Sequence, residues 1–323
     1  MTTPIIPHSF CEPQPAGYAF PENRFCQINW EAADEMIGKD HSAEKLQEIY
    51  VGMCREWILR LKEQFGAEYR LEESKNFFIV SAASEERVQG ALRFLEECLV
   101  RIKRGLYYLP DIPSYGKWPV LCLEENLYYE YLADFQGGRE GEFAMSGGVC
   151  LNRGYGHFAI ANETLERYAN TFVHELTHGL LCHHALPLWL EEALAQTIAQ
   201  GMGGMNPYAV DKRIIRRHQD YWNEERIQAF WTGESFHFPD EGSELSYHLA
   251  LFLYHALRQS GTIPELAVQE FITKAKRSDA GHAACLEVLG LDLAEIVGHL
   301  LGEGNWSPSL TPPSPDAPLP LDS

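Results

Sequence analysis

The sequence predicts an α+β fold in which a strand-rich first half is followed by an all-helical second half. Two compact runs of β-branched and aromatic residues, "NFFIVSA" at 76–82 and "KWPVLCLEE" at 117–125, are typical of buried strands. From residue 187 onward, almost every segment places apolar residues at helical spacing. With 323 residues and 45% hydrophobic content, the chain is long enough to form one large core or two modest ones.

The first half is expected to mix helices with strands. Residues 1–40 are rich in proline and aromatic side chains, which predicts an extended arm lying over the core. Gly66 is expected to end the first long helix, because glycine adopts the conformation that follows a helix at little cost. The elements expected after the arm are helices at 42–66, 84–106 and 126–135, and a β-hairpin formed by 143–152 and 157–162 around the turn "RGYG".

The second half is expected to be helical. Asn162 predicts the start of a helix with Phe172 and Leu176 on one apolar face, since asparagine caps helices well. The further predicted helices cover 188–201, 208–227, 244–259, 263–276, 280–288 and 291–301. The tail at 305–323 holds six prolines and is predicted to be disordered, because such a segment cannot bury enough apolar surface to order the chain.

Charge and cysteine usage exclude several classes of function. The net charge is −20, with 26 Lys and Arg against 46 Asp and Glu, so no nucleic-acid partner is expected. Eight cysteines occur without a CxxC pair, which favours free thiols in a reducing compartment over a thiolate zinc cage or a disulfide scaffold. No leader-like segment and no run of 18 apolar residues is found, so no membrane contact is expected and the predicted location is cytoplasmic.

One stretch, "TFVHELTHGLLCHHALPLWLEEALA" at 171–195, concentrates side chains that bind metals. His174 and His178 are four residues apart, so on a helix they project from one face and can share a zinc ion. Glu175 follows the first histidine, where its carboxylate can take a proton from water at the metal and pass it to a leaving amine. The HExxH spacing therefore predicts a zinc-binding helix that carries its own general base.

A third protein ligand is needed, and this stretch offers two kinds. His184 stands where the pattern HExxHxxGxxH has its third histidine. That pattern requires glycine at the position of Leu181, where the chain must leave the helix sharply, so Leu181 argues against His184. Pro187 can end the first helix and start a second one, which then brings the carboxylate of Glu191 or Glu192 towards the metal.

HELTH followed by WLEEALA resembles the peptidase MA-like, or gluzincin, zinc metallopeptidases, whose pattern is HExxH and then W-L-x-E-G-x-A. The resemblance extends over about residues 76–260, and its specific motifs are confined to 174–195 and to position 247. Aligned on the tryptophan, it implies that zinc is bound by His174, His178 and Glu192, with Glu175 as the general base.

The chain departs from the family pattern at two points. Ala193 stands where glycine is usual, and the spacer between His178 and Glu192 is short, with 13 residues. Glu191 fills the variable place of the pattern and is expected to be a solvated carboxylate at the helix start. It becomes the ligand instead only if the second helix is rotated by about 100°.

Supporting roles fall to residues further along the chain. In this family a downstream tyrosine donates a hydrogen bond to the oxyanion, and "SELSYHLALFLYHAL" at 243–257 implies Tyr247 in that role, with His248 as the fallback. Gln196 stands one helical turn after Glu192. There its amide oxygen can accept the second imidazole N–H of a ligand histidine.

The strand in "MSGGVCLN" stands before the metal helix, as the substrate-binding edge strand does in this group. Gly147, Gly148 and Val149 are expected to bind an extended peptide through main-chain hydrogen bonds, because glycine lets another backbone approach closely. The aminopeptidases of the group carry a glutamate in a G-A-M-E-N motif here, whereas this strand has no acidic residue between Gly147 and Asn152. An endopeptidase is therefore favoured over an aminopeptidase.

The resemblance implies a zincin-like α+β fold, with a small mixed β-sheet and the HExxH helix in an upper lobe and a mainly helical lower lobe. The expected segments are an N-terminal arm and helix at 1–70, the catalytic upper lobe with the metal helices at 71–205, the lower lobe at 206–304 and the tail at 305–323. The expected function is hydrolysis of peptide or protein substrates by a metal-activated water, with one Zn²⁺ ion. The alternative is a catalytically inactive zincin-fold protein that acts in binding or as a scaffold.

Overall fold

The computed structural model of the chain describes residues 24–37, 41–112, 114–136, 147–151, 155–161, 165–202, 211–259 and 263–309. Over these residues the protein is α+β, with a five-stranded mixed sheet and many helices, as the sequence predicts. Its packing divides the chain into two units, and the boundary between the segments at 111–176 and 177–321 falls inside a single helix. Among the described helices, none is long and apolar enough to cross a membrane.

The first unit contains the sheet. Its elements in chain order are α1 (Trp30–Ile37), α2 (Ala43–Phe65), β1 (Arg70–Glu73), β2 (Phe77–Ser81), α3 (Glu85–Gly105), β3 (Trp118–Leu123), α4 (Glu125–Gln136), β4 (Gly148–Leu151), β5 (His157–Ala161) and α5 (Leu165–Leu181). The strand order is β1-β2-β3-β5-β4. The three inner strands are parallel, and β1 and β4 pair antiparallel at the two edges, so the predicted β4–β5 hairpin is confirmed.

Both faces of the sheet are covered, because alternate residues of each strand point to opposite sides. One face joins a core cluster with side chains from α1, α2 and α4. On the other face, the Phe172 ring of α5 lies 6.3 Å from the ring of Phe77 and 5.2 Å from the ring of Phe158. Aromatic packing therefore holds the HELTH helix on the sheet.

The N-terminal part of this unit differs from the prediction. The arm expected to be extended over 1–40 contains a helix, Trp30–Ile37, and residues 1–23 lie outside the described part. Phe25 and Trp30 are buried in the same core as α2 and the sheet. A short helix gains its stability from such packing, which a weak local periodicity does not reveal.

Two local features of the first unit, the strand β1 and the cap of α2, were not predicted from the sequence. The sequence does not predict β1, because "RLEE" has three charged residues and only its pairing with β2 makes it a strand. Asn162, the expected cap of α5, lies outside the described residues. The start of α2 is capped by Ser42, whose hydroxyl accepts the N–H of Lys45.

The second unit is helical. Its elements in chain order are the last turn of α5, then α6 (Leu188–Gly201), α7 (Lys212–Tyr221), α8 (Arg226–Thr232), a 3₁₀ turn (Glu234–His237), α9 (Glu241–Gln259), α10 (Glu265–Lys274), α11 (His282–Ala284), a π-helical turn (Cys285–Leu289) and α12 (Leu293–Leu301). The helix predicted at 208–227 is broken in two, because Trp222 is extended and Asn223 accepts the N–H groups of Glu225 and Arg226.

Residues 305–309 correct the prediction of disorder from residue 305. Trp306 is 7% exposed, and its carbonyl oxygen accepts the indole N–H of Trp231 at 2.9 Å. Its own indole N–H donates to the carbonyl of Gly302 at 2.9 Å. One buried indole thus orders the start of a segment whose composition indicates disorder, while 310–323 lie outside the described residues.

Candidate metal centre

The two motifs of the candidate site lie on successive helices joined by a short connection. Pro187 stands at the N-cap of α6, so the predicted start of the second helix is confirmed, whereas α5 ends at Leu181, before the proline that was expected to end it. Between the two helices, Ala185 has a left-handed φ of 49°. Trp189 is fully buried, and its indole N–H donates to the carbonyl of Ala280 at 2.9 Å. The first turn of α6 is therefore anchored from its apolar side, which sets the direction in which its carboxylates point.

The structure brings the three expected ligands together. One donor atom from each of His174, His178 and Glu192 lies within 4.8 Å of the other two. His178 and Glu192 are buried, and Nε2 of His178 lies 3.3 Å from Oε2 of Glu192. Two ligands of a tetrahedral zinc ion, at bond lengths of about 2.1 Å, stand about 3.4 Å apart. Both the spacing of this pair and the donor set, two imidazoles and a carboxylate, fit zinc.

Glu191 has a place in the site that corrects the expectation of a solvated carboxylate. It is 7% exposed, and its Oε1 lies 3.0 Å from Nδ1 of His178. Because an ionised carboxylate only accepts hydrogen bonds, Nδ1 carries a proton, and the neutral imidazole then offers its Nε2 lone pair to a metal. The two adjacent glutamates of the motif therefore face different nitrogens of His178, with Glu191 at Nδ1 and Glu192 at Nε2.

Gln196 does not have the orienting role predicted for it. The side chain is 7% exposed, and within the described residues neither of its amide atoms makes a hydrogen bond. The reason is that Glu191 already accepts from Nδ1 of His178, and an anionic acceptor binds an imidazole N–H more strongly than a neutral amide does.

Arg277 is a residue of the site that the sequence did not reveal. Its Nη2 lies 3.7 Å from Oε2 of Glu191. Its Nε donates to the carbonyl of Leu186 at 3.1 Å, and its main-chain N–H donates to the carbonyl of Ala185 at 3.2 Å. The arginine therefore fixes the connection between α5 and α6. No signal in the motif points to it, because it follows α10, far along the chain.

The charge around His178 favours a cation. Burial acts to lower the pKa of His178, but attraction by Glu192 and the hydrogen bonds to Glu191 and Glu192 outweigh burial and raise the pKa well above 6.5. A buried positive charge at this point is therefore stabilised by two carboxylates. A divalent cation meets the same electrostatic requirement, and it replaces a proton when it binds.

Glu175 lies beside the edge strand β4. Its Oε2 accepts the main-chain N–H of Cys150 at 2.9 Å. The methyl group of Thr171 in α5 stands 3.2 Å from the place where a β-carbon on Gly148 would be. Glycine at this position therefore lets the helix approach the strand closely.

The predicted peptide-binding strand is an edge strand in the part of the sheet that the structure describes. Gly148 and Val149 belong to β4, and Gly147 precedes it. The side chain of Val149 lies in the core cluster on the face away from α5, so it is directed into the protein. The carbonyl of Gly147 accepts the N–H of Ala161, and Val149 pairs with Ala159 in the same hydrogen-bonded phase of the ladder, so of these three residues Gly148 directs its main-chain groups outward. Main-chain binding of a peptide at this edge stays a prediction.

Helix α9, which carries the two candidate oxyanion donors, packs against α6. Tyr247 is partly exposed, and its ring meets that of Phe236 edge-on at 5.1 Å. Its role as a hydrogen-bond donor to the oxyanion stays a prediction. His248 is buried, and its Nδ1 lies 2.7 Å from Nε2 of His218, which accepts the indole N–H of Trp222 through Nδ1. One side of His248 is thus used to join α9 to α7.

His184 is not a member of the ligand group. α5 ends at Leu181, although leucine there was expected to continue the helix, and His184 lies in the connection that follows. Its main-chain N–H donates to the carbonyl of Leu181 at 2.8 Å. Burial and the neighbouring His183 lower the pKa of His184. The preference for a carboxylate as the third ligand therefore agrees with the geometry, although the argument from Leu181 does not.

Comparisons of the chain with protein-family models, with curated proteins and with solved structures found no match.

Proposed function

We propose that the protein is a zinc-dependent metallopeptidase of the gluzincin type, with a zincin-like fold and with Glu175 as its general base. The observation that carries the proposal is the approach of donor atoms from His174, His178 and Glu192 to within 4.8 Å of one another. The hydrogen bond between Glu191 and His178 supports it, because it selects the imidazole tautomer that binds a metal. A mixed sheet with an edge strand beside the metal helix is compatible with the fold.

Zinc binding, orientation of a ligand and proton transfer are assigned to different residues in this proposal. When bound, zinc supplies a Lewis acid that polarises the scissile carbonyl and lowers the pKa of water. His174, His178 and Glu192 hold the ion, and Glu191 keeps the His178 ring in place. Glu175 takes a proton from the attacking water and returns it to the leaving amine.

Two further elements of the proposal concern the substrate. Tyr247 donates a hydrogen bond to the oxyanion, where one such donor contributes about 3 kcal/mol to stabilising a transition state. An extended peptide binds beside β4, and the missing acidic residue between Gly147 and Asn152 favours cleavage within a chain over removal of its first residue. The alternative, an inactive zincin-fold binding protein, needs no general base at Glu175.

Metal analysis is the first test. The purified chain is expected to carry one zinc ion, or to bind one ion when the apoprotein is titrated with zinc. A chain that neither carries nor binds zinc would end the proposal. In that outcome HELTH is an ordinary core sequence of a helical hairpin.

Peptide cleavage is the second test. A library of internally quenched peptides is digested with the wild type, with Glu175→Gln and with Glu63→Gln, which replaces an exposed glutamate far along the chain. The wild type and Glu63→Gln are expected to cleave the peptides. Glu175→Gln is expected to retain zinc, and its rate of cleavage should be lower by about 100-fold or more. Equal behaviour of the wild type and Glu175→Gln would reject the enzyme and leave the inactive binding protein.

A further inference from the structure

We propose that the main-chain N–H of Cys150 positions the general base, Glu175, so that the edge strand β4 contributes to catalysis through its backbone. The inference rests on the proposed function and adds a positioning group to it. The hydrogen bond itself joins Oε2 of Glu175 to the N–H of Cys150 at 2.9 Å.

The N–H of Cys150 points away from the sheet. The N–H of Ala161 donates to the carbonyl of Gly147 at 3.1 Å, so these two residues form a hydrogen-bonded pair of the β4–β5 ladder. Hydrogen-bonded pairs alternate along antiparallel strands. The next one is therefore Val149 with Ala159, and Cys150 directs its N–H outward from the edge.

An outward N–H on an edge strand needs an acceptor, and here the acceptor is a carboxylate. Cys150 is fully buried, and Glu175 is half-buried. A hydrogen bond from a main-chain amide to an ionised carboxylate is shorter and stronger than one between neutral groups. It therefore holds the Glu175 side chain in one orientation and keeps its second oxygen aimed in a fixed direction.

The match between helix and strand extends over two contacts. Thr171 and Glu175 are four residues apart on α5, about 6 Å along the helix axis. Gly148 and Cys150 are two residues apart on β4, about 7 Å along the strand. Thr171 lies against Gly148 while Glu175 reaches Cys150. The glycine thus sets the close approach that brings the carboxylate within hydrogen-bonding distance of the N–H.

Amide hydrogen exchange tests the hydrogen bond without zinc and without substrate. In the full chain labelled with ¹⁵N-cysteine, Glu175→Ala is expected to speed exchange of the Cys150 N–H about tenfold or more. The Cys122 amide in the central strand β3 serves as the internal reference and should not change. Thr171→Ala, one turn earlier on the same helix, is the matched control and should alter the Cys150 rate less than about threefold. An unchanged Cys150 rate in Glu175→Ala would overturn the inference.

Kinetics test the positioning role. Cys150→Pro removes the N–H at an outward-facing edge position, where proline does not interrupt the β4–β5 ladder. Measured on the best peptide of the library, kcat should fall about 10- to 100-fold while KM changes less than about threefold. Zinc content should stay at the wild-type level, and Glu63→Gln, which changes an exposed residue far along the chain, should retain kcat. If Cys150→Pro does not fold, an ester in place of the same amide removes the same proton.

The outcomes separate the two proposals. A wild type that cleaves no peptide overturns the proposed function before any variant is compared. A wild type that cleaves, with kcat unchanged when the N–H is removed, overturns the positioning role alone. A rise in kcat also overturns it, because the hydrogen bond would then restrain the base and not position it.

Discussion

Two buried histidines in different units of the molecule have opposite surroundings. His157 in β5 is 0% exposed, lies among aromatic rings, and has Nε2 at 2.8 Å from the hydroxyl of Tyr131. His178 in α5 is 5% exposed, yet its two nitrogens face the carboxylates of Glu191 and Glu192 at 3.0 Å and 3.3 Å. In both rings each nitrogen has a polar partner. Neither burial nor the presence of a polar partner therefore distinguishes the two histidines.

The charge of the partners does distinguish them. Burial lowers the pKa of His157 to about 4, and its hydrogen bond to the carbonyl of Tyr155 opposes burial only in part. The carboxylates raise the pKa of His178 well above 6.5 against the same effect of burial. A neutral environment makes the first histidine part of the core, whereas an anionic one makes the second suited to a cation. Four measurements test this difference.

The largest expected effect is the loss of zinc affinity when a proposed ligand is replaced, compared with replacement of a core histidine. Glu192→Ala should lower zinc affinity about 100-fold or more, because one of three protein ligands is lost. His157→Phe should leave zinc affinity unchanged, since its ring lies in the aromatic core. Competition of each variant with a chromogenic zinc chelator gives both values. Wild-type affinity in Glu192→Ala would show that another group, with Glu191 the nearest candidate, completes the site.

The pH dependence of stability should report the neutral environment of His157. The folded state keeps this ring neutral down to a pKa of about 4, whereas the unfolded chain binds a proton below about 6.5. The stabilisation is therefore complete above pH 6.5 and is lost as the pH falls to 4, by up to about 3 kcal/mol. Urea unfolding at the two ends of this window measures the loss. His157→Phe should lose less than the wild type, and equal losses would show that the ring can accept a proton in the folded state.

A smaller effect is expected from the group that orients the ligand. Glu191→Ala should lower zinc affinity about 10- to 100-fold, the range for loss of a partner that fixes a ligand histidine. Gln196→Ala, on the same helix and equally buried, is the matched control and should change the affinity less than about threefold. A larger loss for Gln196→Ala than for Glu191→Ala would restore the original prediction for the glutamine.

The smallest effect on zinc affinity is expected at His184, which lies outside the group of three ligand residues. His184→Ala should alter zinc affinity less than about twofold, because the residue lies in the α5–α6 connection and outside the ligand group. The same chelator competition provides the value. A tenfold loss would mean that the connection rearranges and that His184 is a ligand.

The sequence revealed those features that depend on local spacing. His174 and His178 share a helix face because four residues span about one helical turn. The runs at 76–82 and 117–125 became inner strands because a sheet buried on both faces requires continuous apolar residues. β1 and α1 escaped prediction for the converse reason: a charged edge strand and a short helix depend on partners distant in the chain.

The sequence by itself therefore determined the helix, the pair of histidines on one of its faces, the glutamate that we propose as the general base, and the second helix that brings a carboxylate to the histidines. Tertiary structure alone decided which glutamate faces which nitrogen, that Arg277 supports the α5–α6 connection, and that the N–H of Cys150 meets Glu175. The physical reason is that the orientation of α6 is set by contacts such as the hydrogen bond from the indole N–H of Trp189 to the carbonyl of Ala280. Contacts between residues so far apart in the chain leave no periodic signal in the sequence.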